Sequence, residues 1–303
     1  MGFEPKRMKL HRRWLRRLFS PSLLNRMNAL SHLEDRLFDL EARRAQLARI
    51  VLRGGCANLF SADAGQEFQV FSQNGEDGLL LWLLRETGAP VKTFVEIGIE
   101  NGLECNTAVL AFVLGWDGLM LEADPLGVAA AQRLASRMLR GRPNCVEIRQ
   151  ALVTRENINA LIGGRDLGVL SIDVDGMDYW LWKAVQDAIP DIVVVEYNAS
   201  MGPNESITVP YRADFSAAEA HPSGYYHGAS LAALEKLGRE KRYALVAVDA
   251  AGVNAFFVRD AIRPETLSAR RAAELFRPHL VRTRRRSLEE QWALIRHLPY
   301  ERV

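Results

Sequence analysis

The chain has 303 residues, 48% of them apolar and 25% charged, with a formal net charge of +2. That composition supports a sizeable core, excludes global disorder and gives no whole-protein case for nucleic acid as a partner. No apolar run approaches the roughly 18 residues of a membrane span, and Cys56, Cys105 and Cys145 show neither metal spacing nor a disulfide framework, as in a reducing compartment.

Taken in chain order, the first element is a basic tail, residues 1–19. It carries Lys6, Arg7, Lys9, Arg12, Arg13, Arg16 and Arg17 against Glu4 alone. With Trp14, Leu15, Leu18 and Phe19 among the arginines, it reads either as a solvated tail or as a segment lying on an anionic membrane face. It lacks the continuous apolar segment and cleavage site of a signal peptide. The expected location is therefore cytoplasmic, with peripheral contact at the inner face of the membrane. A helical arm follows over 20–55, capped by Ser20, with Pro21 in its first turn and Gly54-Gly55 at its end. Leu30, Leu33, Leu37, Leu40, Leu47 and Val51 follow a three-four spacing interrupted by Arg44. That stripe suits a coiled coil and hence a homo-oligomer, or a helix packed on its own domain.

Strands and helices then alternate within a domain placed at 66–262. Strands are predicted at 93–98, 118–122, 145–149, 168–173 and 191–196, and helices near 103–114, 126–140, 155–163 and 178–188. Alternation of this kind implies a parallel sheet with right-handed crossovers. Asp191 to Glu196 is almost continuously apolar, as in a strand buried on both faces. Residues 198–228 are long, polar and rich in Gly, Pro, Ser and Tyr, the pattern of a substrate lid. A helix over 230–240 leads to Tyr243–Val248 and, through Asp249-Ala250-Ala251-Gly252, to Asn254–Val258. This hairpin makes the last strand antiparallel. Residues 263–303 read as a helical extension, with Arg282, Arg284, Arg285 and Arg286 on a solvated surface that attracts an anionic substrate.

The chemistry concentrates at strand ends. The turn Glu96-Ile97-Gly98-Ile99-Glu100-Asn101-Gly102 lets backbone N–H groups approach a ligand, and Glu122 ends the next strand where an acid holds ribose hydroxyls. A Gly-x-x-x-Gly turn combined with a closing hairpin points away from NAD. With Ser72-Gln73-Asn74-Gly75-Glu76-Asp77 upstream and Ser171-Ile172-Asp173-Val174-Asp175-Gly176 at the fourth strand, the chain resembles class I S-adenosylmethionine-dependent methyltransferases. More narrowly it resembles the FkbM-like methyltransferases, over about residues 70–260. It departs from that family where Asp-x-Gly-Ala-Asn-x-Gly and Asp-Val-Glu-Gly are usual.

The resemblance implies an α/β fold: a Rossmann-like, seven-stranded, mostly parallel sheet with an antiparallel last strand, preceded here by the helical arm. It implies S-adenosyl-L-methionine as cofactor, its methionine part over Glu96, Gly98 and Gly102, its ribose on Glu122, and its adenine beside Gln150 and Ala151. Gln73 reaches in from upstream, and Asp173 lies near the cofactor. Read from the residues alone, Glu96 equally suits a buried acid capping the next helix, and Ser72 and Gln73 suit caps of the helix that follows them.

A hydroxyl acceptor needs a general base or a metal that acidifies it. Macrocin-type sugar O-methyltransferases, which this region also resembles, place a metal at the equivalent strand ends. Asp175, Glu196 and Asn198 would then hold Mg²⁺ or Mn²⁺. The alternative is that these acids cap helices and bind cofactor without metal, leaving Asp175 or His227 as base. Tyr211, Tyr225 and Tyr226 either stack on sugar faces or close over the core. The function implied is O-methylation of a sugar hydroxyl on a glycan, a lipid-linked glycan or a glycosylated metabolite. The alternatives are a non-catalytic nucleoside-binding module recruited through the N-terminal helix and an NAD-dependent oxidoreductase.

Overall fold

The computed structural model describes residues 36–38, 40–48 and 67–303. The basic tail, with its reading as a membrane contact, lies outside them, as do Leu30, Leu33, Val51 and Cys56.

Among the described residues nine strands form: β1 Thr93–Ile97, β2 Asp117–Glu122, β3 Val146–Gln150, β4 Val169–Ile172, β5 Ile192–Glu196, β6 Ile207–Thr208, β7 Tyr243–Val248, β8 Asn254–Arg259 and β9 Glu301–Arg302. Seven make one sheet in the order β3-β2-β1-β4-β5-β8-β7. β1 to β5 pair in parallel, whereas β8 runs antiparallel to both β5 and β7. This is the expected Rossmann-like sheet, with the antiparallel strand inserted beside β5 and β7 left at the edge. β5 is buried at every position, so each apolar side chain there contributes roughly 1.5–3 kcal/mol of burial. Alternate residues feed two cores. Val193 and Val195 pack with Trp182 and Phe257 on one face, and Ile192 and Val194 pack with Phe94 and Phe256 on the other.

Strand order reverses at β1, which pairs with β2 on one side and β4 on the other. Crevices in open α/β sheets form at such a point, outside the carboxyl ends of the strands. The register sets Ile97 beside Ile172, and the Asp173 N–H continues the ladder to the Ile97 carbonyl at 3.0 Å. The residues following β1 and β4 therefore emerge side by side.

Two helices are shorter than their sequence pattern. In place of a helix over 103–114, only Leu110–Leu114 forms, as a single wide π-type turn. The Asn106 and Thr107 N–H groups that would begin a longer helix donate instead to the Glu96 carboxylate. The helix after β4 spans Asp178–Ala184. Asn159 stops it: its amide donates to the Ala184 carbonyl at 2.8 Å, and its oxygen accepts the Gln186 N–H at 2.8 Å.

Within the arm, residues 40–48 are helical. Phe38 and Ala45 are buried in the same core as Phe71 and Phe112, whereas Leu37, Leu40 and Leu47 are 41%, 60% and 64% exposed. These three stripe residues face away from the domain, so they do not pack on it.

The segment expected as a lid, 198–228, is fixed rather than loose at both ends, where Asn198, Ala199, Met201, Tyr226 and His227 are buried. β6 within it pairs with β9 of the C-terminal extension, Ile207 with Arg302 and Thr208 with Glu301. The Tyr226 hydroxyl donates to the Pro299 carbonyl. Insert and extension make one wall.

The Ser72–Asp77 motif builds the approach to β1. Asp77 Oδ2 accepts N–H groups from Val70, Phe71 and Ser72 at 2.7, 2.6 and 2.9 Å, and the Asp77 N–H donates to Ser72 Oγ at 3.0 Å. Asp77→Ala would strand buried amides, each costing about 1–3 kcal/mol. We expect roughly 2–3 kcal/mol of lost stability in urea unfolding, and a smaller loss for Asp77→Asn, whose carbonyl still accepts. Equal stability of Asp77→Ala and wild type would contradict this role.

Candidate functional site

A cleft of about 490 Å³ opens at the carboxyl ends of β1, β2, β4 and β5. Its two ends differ in chemistry.

The first end lies over β1 and β2. Gly98, in the left-handed region at φ 85°, donates its N–H to the Leu121 carbonyl at 2.9 Å. Glu122 closes β2; its Oε2 accepts the Glu100 N–H at 2.7 Å and its Oε1 the Asp124 N–H at 2.8 Å. Each carboxylate oxygen keeps a second lone pair, so two hydroxyl donors can still be received. Ala151 and Leu152 line this end beyond β3. Gln73 lines the cleft from upstream, its amide 3.3 Å from Glu104 Oε2.

Three residues expected to touch the cofactor do not line the cleft. Glu96 is 2% exposed and accepts the N–H groups of Asn106 and Thr107 at 2.7 and 3.1 Å, with the Thr107 hydroxyl as a third donor. It anchors the turn from below, as its other reading had it. Burial pushes its carboxyl up to about 7. Gly102 faces the helix Pro125–Met138, where an added Cβ would lie 3.0 Å from that of Ala131. Gln150 turns outward, its amide 3.3 Å from the Ala123 carbonyl. Cys105, under the same turn, is buried, and burial pushes its thiol up, so it packs rather than reacts.

The second end lies over β4 and β5. Asp173, Asp175 and Glu196 all line it. Asp175 sits at φ 53° in the turn that follows β4. That turn is held by Asp178, which accepts the Val174 N–H at 2.8 Å and the Gly176 N–H at 3.0 Å. Asp173, Asp178 and Glu196 bring carboxylate oxygens within 4.8 Å of one another. Burial, then mutual repulsion with Asp178 and Asp175, raises Asp173 well above the usual carboxylate range. Burial, then repulsion from Asp173 and Asp178, does the same to Glu196, and burial carries Asp178 to about 7. The lining cation opposing them is Arg282, from the C-terminal extension.

Two expected residues change role. Asn198 is saturated: its amide donates to the Tyr225 and His227 carbonyls at 2.7 and 2.8 Å, and its oxygen accepts from Ser200 N–H at 3.0 Å and from Arg282 at 3.2 Å. It braces the wall and has no lone pair left for a metal. His227 is 1% exposed and does not line the cleft. Its Nε2 is 3.0 Å from Arg282 Nη2, and burial, then Arg282, lowers it to about 3. A histidine so placed is a poor general base at neutral pH. Tyr225 and Tyr226 also stand behind the wall, and Tyr211 packs under Arg155, 3.9 Å from its ring centroid. The aromatic facing the cleft from the insert is Phe215.

The basic run of the extension splits. Arg284, Arg285 and Arg286 are exposed, whereas Arg282 turns inward. Nothing local distinguishes it. Asp178 had a local signal, an acid in the first turn of the predicted helix, where a negative charge is favoured.

No protein-family model and no curated protein matches the chain. Among solved structures, an O-methyltransferase from Bacillus cereus in complex with SAH is 18% identical with a TM-score of 0.40, covering 69% of this chain and 88% of that one. Cofactor-bound Rv0187 from MTB is 20% identical with a TM-score of 0.42, covering 68% and 88%. The N-terminal domain of EvdMO1, in the presence of SAH and D-fucose, is 13% identical with a TM-score of 0.38, covering 67% and 92%. Likeness at this level concerns the fold and carries nothing about substrate.

Proposed function

We propose that the protein is an S-adenosylmethionine-dependent O-methyltransferase acting on a hydroxyl of a sugar-containing small molecule or glycan. One observation carries this reading: a single cleft joins an acid-ended nucleoside site at β2 to a pair of cleft-facing carboxylates, Asp173 and Glu196, at β4 and β5. The charge of the cleft points the same way. Glu100, Glu104 and Glu122 line the first end, and Glu76, Asp173, Asp175 and Glu196 the second, against Arg282. Such a field attracts a sulfonium cation and repels the pyrophosphate of a dinucleotide. It also favours a neutral polyhydroxyl acceptor over the anionic one that the arginine run suggested. The FkbM-like resemblance supports the sugar class.

S-adenosylmethionine, when bound, supplies an activated methyl group, so the protein's tasks are alignment and removal of the hydroxyl proton. Glu196 suits the second task. Burial raises its proton affinity above that of an ordinary carboxylate, which strengthens it as a base. Asp173 lies between Glu196 and the nucleoside end and orients the acceptor. Phe215 excludes water from above the turn, its ring packed against Gly176.

Asp173, Asp178 and Glu196 fit a hard divalent cation, being all-oxygen donors at suitable spacing. This set would hold Mg²⁺ or Mn²⁺ in place of the Asp175, Glu196 and Asn198 expected from sequence. Such an ion would acidify the acceptor hydroxyl. The exposed Leu37, Leu40 and Leu47 support a homo-oligomer through the arm. Among the described residues, no helix is long and apolar enough to cross a membrane.

Calorimetry should find micromolar-range binding of S-adenosylmethionine and its demethylated product, and none of NAD. Methyl transfer from labelled cofactor into extracted glycans should follow. Tight product binding with no transfer to any acceptor would favour the non-catalytic module. NAD binding in place of the sulfonium nucleoside would overturn the proposal. Activity lost in chelator and restored by Mg²⁺ would assign the metal, and full activity in chelator would leave the carboxylates to act alone.

A further inference from the structure

We infer that Arg282, from the C-terminal extension, is a positioning residue for Glu196 and acts on it through His227. This rests on the reading that Glu196 is the acceptor-side base.

The argument starts from donors and acceptors. A guanidinium only donates. Arg282 Nη2 lies 3.0 Å from His227 Nε2, so that nitrogen must be the acceptor. The ring proton is therefore on Nδ1. His227 Nδ1 is buried without a hydrogen-bond partner among the described residues, and it lies 3.9 Å from Glu196 Oε2. An orphaned N–H thus lies beside the carboxylate that faces the cleft. The other arm of the arginine donates to Asn198 Oδ1 at 3.2 Å, and Asn198 in turn holds the His227 carbonyl at 2.8 Å. Arginine, imidazole and carboxylate form a fixed series.

The base of that series is also fixed. On one side of Arg282 the Thr283 N–H donates to the His279 carbonyl at 3.0 Å. On the other, Ser200 Oγ donates to Gln291 Oε1 at 2.7 Å. The strand pair β6–β9 closes the same wall.

Every charged group that faces the series has a place in it. Asp173, Asp175 and Asp178 face Glu196 from the β4 side, and Arg282 faces it from the extension. Arg282 and His279 face His227. Glu196 thus has one cation against three carboxylates. Arg282 does two things at once: it offsets their repulsion, and it fixes the tautomer that presents N–H, rather than a lone pair, to Glu196. Without it, His227 is free to reverse its tautomer and turn a lone pair toward Glu196.

The test uses full-length protein, Arg282→Met and Arg282→Lys, with S-adenosylhomocysteine binding as the check of fold. In wild type, ¹⁵N spectra of labelled histidine should show His227, assigned through His227→Asn, with a protonated Nδ1 and a bare Nε2. That state should persist from about pH 5 to 8. In Arg282→Met the ring should mix tautomers, and Arg282→Lys should restore part of the wild-type signal. Methyl transfer by Arg282→Met should fall roughly tenfold or more in kcat, with cofactor KM unchanged. A His227 tautomer unchanged in Arg282→Met, or an unchanged kcat, overturns the inference. The expected tautomer change in protein that methylates nothing supports the series and removes the enzymatic reading instead.

Discussion

Gly98→Ala is expected to destabilise the protein by more than about 4 kcal/mol, or to leave a folded chain that no longer binds the nucleoside. The reason is backbone against backbone. A Cβ at position 98 would lie 1.6 Å from the carbonyl oxygen of Asp173 and 2.7 Å from its carbon, in a residue at φ 85°. Neither side has room to yield. The Gly98 N–H is tied to Leu121 at 2.9 Å, and the Asp173 N–H to Ile97 at 3.0 Å. Moving either would break a ladder bond at the reversal point of the sheet and shift a cleft carboxylate with it. Urea unfolding with calorimetry of the demethylated cofactor measures both outcomes. Stability within about 1 kcal/mol of wild type with normal binding would mean that the turn is not the fixed point described here.

Glu196→Gln should abolish most methyl transfer, by roughly 10²–10⁴-fold, while leaving cofactor binding near wild type. The substitution keeps shape and removes only the proton acceptor. Asp175→Asn, on the solvent side of the cleft, should cost far less. The same variant carries a second expectation of opposite sign. Glu196 is raised above its ordinary value by burial and by Asp173, so its protonated form is favoured by folding. Its contribution to stability is full below the ordinary carboxylate range and is lost as pH rises through its folded value. Glutamine has no charge to bury. Glu196→Gln should therefore gain stability over wild type at pH 8 and show little gain at pH 4, read from thermal unfolding at each pH. Loss of activity together with loss of stability at pH 8 would argue that Glu196 holds the fold rather than the chemistry.

The sheet was legible because its signals are local. β5 is a run of Ile and Val, and the Asp249–Gly252 turn marks the hairpin, so both could be read within a few residues. The ends of β1, β2, β4 and β5 followed, and with them Gly98, Glu122, Asp173, Asp175 and Glu196, all of which line the cleft. What could not be read was side-chain direction. Glu96 belongs to the same turn as Gly98, yet its carboxylate goes down into the helix-forming segment, because Asn106 and Thr107 supply buried donors there. Gly102 was expected beneath the cofactor, whereas the group that approaches it closely is Ala131 of a helix. Asn198 and His227 come to the wall of the cleft and are consumed by it. Their partner Arg282 is 84 positions from Asn198 along the chain, beyond the range of any spacing rule. The described stripe residues Leu37, Leu40 and Leu47 showed the complementary limit: periodicity found an apolar face, and only the packing of Phe38 and Ala45 told which way it points.

The pairing of β6 with β9 joins segments far apart in sequence, with Ser206 and Val303, 97 positions apart, bonded at its end. Contacts of such span carry a large loop-closure entropy and tend to form late in folding. The nucleoside half, by contrast, draws mainly on residues 93–153. A partly folded chain would thus be competent to capture a sulfonium ligand before any alcohol could be deprotonated beside it. On the proposed reading, ligand held by the first half would lower the free energy of folded over unfolded chain while the second half closes, so that the same small molecule would assist folding as well as react.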